Sequence, residues 1–189
     1  MILLEAVVLG LAISLVTGGS LRNLEHERLR GEWVLLALLP MQLLWPRIAV
    51  LLGVGHDLSV MLWLIMMVGL IGVMLLNVWK RWVLGFAALG IALNVLVIGL
   101  NGAMPVSLRA VSETGMSRED AVQSMQADYL HEPQDDQTLL AALGDVITVP
   151  GPEWQRGVMS VGDVLLSLGL AGWAFVASRG AEGSDFSCP

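Results

Sequence analysis

Arg47 is a cation set inside a long apolar run, and polar groups recur near one end of the neighbouring runs: Glu5, Asp57, Asn94, Asn101 and Asp163. An isolated guanidinium in apolar surroundings is expensive, so it needs a stated partner. Glu5 and Asp163 are the carboxylates expected to pair with it. An anionic ligand head group is the alternative, with Asp163 or His131 then handling a proton. The stretch HEPQDD, residues 131–136, sets one imidazole among Glu132, Asp135 and Asp136. Its spacing fits neither a calcium-binding loop nor a zinc motif, so no metal site is expected and the stretch reads as a solvated acidic loop. Asp145 in LGDV and Asp163 in VGDV each follow a glycine, a pair that supplies a turn or a helix start. The candidate binding set is therefore Arg47, Glu5, Asn101, His131, Asp145 and Asp163. Gly102, Met104, Pro105, Gly144 and Gly162 form the accompanying structural motif.

No nucleophile elbow, phosphate loop, HExxH, CxxC or dinucleotide fingerprint is present. No helix offers paired histidines to a haem, and the single Cys188 excludes both an internal disulfide and an iron–sulfur cluster. No cofactor is expected, and catalysis is disfavoured.

The elements that must position these residues are helices in lipid. The chain has 189 residues, 56% hydrophobic and only 14% charged, where an ordinary soluble domain is about a quarter charged. Five runs approach the roughly 20 residues needed to cross a bilayer: Ile2 to Thr17, Trp33 to Val54, Leu58 to Leu76, Trp82 to Leu100 and Val158 to Ala177. Backbone in lipid must satisfy its own hydrogen bonds, so each run is predicted to be a helix. The fold class is an all-α integral membrane protein of about five spans, one domain over residues 1–189. The first run opens apolar with no basic leader, which predicts a retained helix rather than a cleaved signal. Small residues recur at helical spacing (Ala6, Gly10, Ser14; Ala88, Ala92; Gly169, Gly172) and predict close helix packing in a compact bundle.

Lys and Arg set the orientation. Arg22, Arg28 and Arg30 lie in the first connection, Lys80 and Arg81 in the third, and Arg179 in the tail. Alternation puts all of them on the cytoplasmic side, with the N-terminus outside and the C-terminus inside. The first connection mixes Glu25 and Glu27 with its arginines and reads as a solvated turn. Residues 101–157 then form an extracytoplasmic cap. In it, Ser117 caps an amphipathic helix over Arg118 to Leu130, with Ala121, Val122, Met125 and Tyr129 as its apolar stripe. Thr138 to Leu143 is expected to be a short helix, Val146 to Val149 to be extended, and PGP to turn. The segment LNGAMPVSL, residues 100–108, must leave the fourth helix and fold back, with Met104, Pro105, Val106 and Leu108 buried beneath the cap. Trp154 suits the outer interface.

The strings NGAMPVS (101–107), LGDVITVP (143–150) and MSVGDVLLSLG (159–169) resemble an uncharacterised family of small bacterial membrane proteins, a domain of unknown function, common in Gram-positive lineages. The resemblance implies a helical membrane protein and weight on Asn101, Met104, Pro105, Asp145 and Asp163. It implies no activity.

The net charge of −7 argues against a nucleic-acid partner. Small size, abundant apolar surface and the missing catalytic set lead to the expectation of a non-catalytic membrane protein. It would be an accessory or assembly subunit, surrounded by lipid and other membrane subunits in a bacterial cytoplasmic membrane. The rival expectation is a small-molecule or lipid-binding protein, or a membrane enzyme, with a pocket under the cap. A transporter is disfavoured because five spans show no repeated halves.

Overall fold

A computed structural model describes residues 2–126, 130–152 and 156–180. Tyr129, Trp154 and Cys188 lie outside the described residues. The chain is mainly helical. Five long helices coincide with the five apolar runs: α1 (Ile2–Val16), α3 (Glu32–Leu52), α4 (His56–Asn77), α5 (Leu84–Asn101) and α8 (Val161–Arg179). A single turn, α2 (Arg22–Glu25), sits in the first connection. α3 continues through Pro40 and Pro46 and ends where Gly53 turns left-handed. Among the described residues, α4, α5 and α8 are long and apolar enough to cross a membrane; Leu3–Val16 and Glu32–Gln42 are shorter apolar stretches.

The helices neighbour one another in an order that differs from their order in the chain. α1 packs on α8, α8 on α5, α5 on α4, and α4 on α3. α5 and α8 approach at backbone distance because glycines face them: a Cβ on Gly90 would strike the Gly162 carbonyl, and one on Gly169 would strike the Ala87 amide. Gly10 meets the Ala171 backbone in the same way, so this small-residue face of α1 is used inside the chain. The main core gathers Trp45, Trp63, Met67, Leu70, Ile91 and Val97 between α3, α4 and α5. Trp45 also donates its Nε1–H to the Ser59 carbonyl at 3.1 Å, which satisfies the indole where it is buried.

Between α5 and α8 lies a small mixed insert, residues 102–160. It contains β1 (Met104–Val106), α6 (Leu108–Glu113), α7 (Arg118–Gln126), β2 (His131–Pro133), β3 (Ile147–Val149) and β4 (Gly157–Met159), with a 3₁₀ turn at Ala141–Leu143. Gly102 ends α5 at φ 82°, a left-handed conformation that suits glycine. β1 pairs in parallel with β2, and on its other side Val106 bridges Asp145. β3 and β4 form an antiparallel hairpin. Met104, Pro105 and Val106 are buried, and Leu108 partly so. Met104 packs into the main helical core, whereas Val106 joins Val111 and Ala121 in a small core of the insert. The stop signal in LNGAMPVSL is apolar because its strand lies between these two cores.

Candidate functional site

Asparagine side chains of α5 fasten the insert at two places, one in its middle and one at its end. Asn101, the last residue of α5, donates to the Leu139 carbonyl at 2.9 Å and accepts from the Leu139 amide at 2.8 Å. One side chain thus completes both polar groups of one distant peptide position. Asn94, two turns earlier, donates to Asp163 Oδ1 at 2.8 Å and accepts from the Ser160 hydroxyl at 2.9 Å. Ser160 and Asp163 close a capping box at the start of α8: the Asp163 amide donates to Ser160 Oγ and the Ser160 amide donates to Asp163 Oδ2. Both oxygens of Asp163 are therefore engaged, and its role is to start α8 and hold it to α5. A Cβ on Gly162 would strike the Asn94 side chain, so glycine is what admits this contact.

These anchors place β1, and β1 places Asp145. The Asp145 amide donates to the Pro105 carbonyl at 2.9 Å, and its own carbonyl accepts from the Ser107 amide at 3.0 Å. Gly144 beside it leaves room for the Pro105 carbonyl, which a Cβ would meet. With its backbone fixed from both sides, Asp145 is only 6% exposed. Its Oδ2 lies 3.8 Å from His131 Nε2, on β2. Its Oδ1 has no hydrogen-bond partner among the described residues. Burial raises the Asp145 carboxyl to about 7; the His131 charge pulls it down and Asp163 pushes it further up.

Asp145 and His131 form part of the wall of an open cavity of about 280 Å³, whose apolar surface comes from Val106, Val111, Met125 and Val158. Two hydroxyls reach the same wall, but Thr114 donates to the Val111 carbonyl and Ser124 to the Ala121 carbonyl. Neither is prepared as a nucleophile. What the site holds chemically is a buried carboxyl group beside an imidazole in the wall of a mostly apolar cleft, with one carboxyl oxygen that has no partner among the described residues.

The structure brings together Asp145 and His131, and separately Asn94, Ser160 and Asp163. It does not bring Arg47 to them. Arg47 is exposed on α3 and forms no ion pair among the described residues. The expected Arg47 pairing with Glu5 or Asp163 is not made: α3 packs on α4 while Glu5 sits half-buried on α1 against α8, and Asp163 is already engaged. Among the described residues no group of three His, Cys, Asp or Glu side chains is placed to hold a metal ion. In the acidic stretch, Asp135 instead closes a local turn, accepting from the Gln137 amide and the Thr138 hydroxyl. The sequence reading missed Ser160, although its spacing to Asp163 was the available signal. It also missed Val111 and Val158 as cavity residues, and had Met125 only as part of an apolar helix stripe.

The fold and site define a mainly helical protein with membrane-length helices and a small α/β insert carrying a buried carboxylate. The chain belongs to DUF5317, a family of unknown function, whose model matches residues 26–175. The match runs from the first connection through most of α8 and contains the whole insert; Glu5 lies outside it. No curated protein and no solved structure matches the chain.

Because the folded state holds a proton on Asp145 that the unfolded chain releases, stability is expected to fall as pH rises from about 4 to about 7, then level off. Asp145→Asn keeps a neutral side chain throughout. Thermal unfolding in detergent should show the parent losing stability relative to the variant across that window. A constant difference between the two would contradict a raised carboxyl.

Proposed function

We propose that this is a membrane protein of five spans (α1, α3, α4, α5 and α8) that binds a small, mostly apolar molecule carrying one hydrogen-bond donor. The insert would face the extracytoplasmic side of a bacterial cytoplasmic membrane. The observation that carries the binding reading is the Asp145 carboxyl in the cavity wall, whose buried Oδ1 has no partner among the described residues. A buried acceptor without a partner costs about 1–3 kcal/mol, and a ligand donor would recover that cost. The cavity volume suits a fragment-sized molecule, an amine or an alcohol on a hydrocarbon body. Arg47 lies on α3, outside the residues that line this cavity, so an anionic head group received by Arg47 is not the ligand we infer. The orientation is supported by the basic residues Arg28, Arg30, Lys80 and Arg81, which gather at the end of the helices away from the insert.

A second reading, the accessory subunit, is favoured by the outer helices of the row. Val16 on α1 and Val50 and Leu51 on α3 are exposed. Neighbouring subunits would cover these helices, but lipid covers them equally well, so the cavity takes precedence.

Cyclohexylamine or cyclohexanol, at about ten times its Kd, should raise the unfolding midpoint of the detergent-solubilised protein by about 3–5 °C. Cyclohexanecarboxylate should not. Asp145→Leu should remove the shift, and Met125→Trp should remove it by filling the cleft. No shift with either donor, or an equal shift in Asp145→Leu, would overturn the binding reading. For the orientation, an engineered thiol, Gln134→Cys, should react with an impermeant reagent on intact cells; reaction only after lysis would reverse the assignment.

A further inference from the structure

At the other end of the helices, the first connection folds onto the link between α4 and α5. Asn77, the last residue of α4, is 2% exposed. It accepts from the Arg30 amide at 2.8 Å and donates to the Arg30 carbonyl at 2.9 Å and the Val73 carbonyl at 2.7 Å. Lys80 Nζ donates to the Arg28 carbonyl at 2.8 Å. Glu27 receives a two-pronged pair from Arg81, at 3.1 and 2.8 Å, and Lys80 at 3.2 Å. Burial alone would raise the Glu27 carboxyl, but the hydrogen bonds and charges of Arg81 and Lys80 outweigh it and hold the carboxyl below its usual range. These contacts fix two distant segments against each other.

The result is a cavity of about 400 Å³ lined by Arg28, Arg30, Leu76, Asn77, Trp79 and Lys80. Its charges do not cancel. Arg28 makes only an exposed contact with Glu32 at 3.4 Å, Lys80 shares Glu27 with Arg81, and Arg30 has no ion pair among the described residues. Four cations thus face two carboxylates. The lip is apolar: Trp79 is 98% exposed and Leu76 57% exposed, at the end of the membrane-length α4. An indole fully open to water gains nothing from its apolar area, whereas at a bilayer interface it is well placed.

We propose that the cavity of Arg28, Arg30 and Lys80 binds the phosphate of an anionic phospholipid, with Trp79 and Leu76 against its glycerol and upper acyl chain. Basic cavities at the cytoplasmic ends of spans suit such head groups. Free phosphate shares the charge but leaves the apolar lip uncovered, which is why the geometry points to the lipid. The proposal stands on different residues from the Asp145 cavity and does not depend on it.

The test uses the full chain in neutral detergent micelles, read by thermal unfolding and by native mass spectrometry of retained lipid. Phosphatidylglycerol should raise the midpoint and give a discrete bound species; phosphatidylcholine and sodium phosphate at the same concentration should do neither. Arg28→Gln with Arg30→Gln should weaken phosphatidylglycerol binding about tenfold or more. Arg109→Gln with Arg118→Gln, which removes the same charge from the insert, should leave it unchanged. Trp79→Ala, at an exposed position that folding does not need, should weaken binding several-fold. Equal binding of the two lipids, reproduction by sodium phosphate, equal loss in the insert control, or an unchanged Trp79→Ala would each overturn the proposal.

Discussion

Where an apolar helix ends, its last carbonyls and the chain that follows must find hydrogen-bond partners without much water to help. In this protein asparagine side chains meet that requirement. An amide side chain both donates and accepts, so it can complete a distant peptide position as a strand neighbour would. Asn77 does this for Arg30, Asn101 for Leu139, and Asn94 shares the task with Ser160 and Asp163. The bonds tie both connecting regions to the rods, one at each end of the molecule. Glycines on α5 and α8 contribute the other half of the constraint, by letting the two helices approach until Asn94 reaches the start of α8.

The two cavities follow from this anchoring. At one end, the insert is held to α5 at Leu139 and Ser160, and Asp145 is pinned through its backbone to β1 before its side chain finds a full set of partners. A well-packed fold rarely leaves a buried carboxyl oxygen unused. Here it lies beside an imidazole and in the wall of an apolar cleft, the combination on which the binding proposal stands. At the other end, the Asn77 bonds and the Glu27–Arg81 pair spend their polar groups on structure and leave cations over. The same building principle therefore yields an acceptor in a greasy cleft on one side and a cationic, tryptophan-lipped cavity on the other.

The helices were legible because lipid imposes long apolar runs. The run Trp33 to Val54 became α3 at Glu32–Leu52, and Leu58 to Leu76 became α4 at His56–Asn77. The helix expected from Arg118 is present as α7 to Gln126, and the short helix expected near Thr138 is a 3₁₀ turn at Ala141–Leu143. Neighbour relations were not legible. Depth along a helix can be read from a sequence, but which helices touch cannot, and Arg47 and Glu5 fell on helices at opposite ends of the packing order. The aspartates in GDV could be read as turn or cap residues, and Asp163 is one. Asp145 stood out only alongside Asp163, by its GDV setting and the family resemblance; its burial beside His131 was not legible, because Val106, Val111, Met125 and Val158 reach the same cavity wall from four separate elements. The first connection looked solvated because its charges alternate; only the fold shows Glu27 buried against Arg81.

If the asparagine anchors govern the insert, breaking one should loosen a region far from the substitution. Amide hydrogen exchange of the full protein in detergent, comparing the parent with Asn101→Ala, tests this directly. The account predicts faster exchange spreading from Leu139 through the β1–β2 pairing to the Asp145 amide, with α4 unchanged. Faster exchange confined to Leu139 and its immediate neighbours would contradict it.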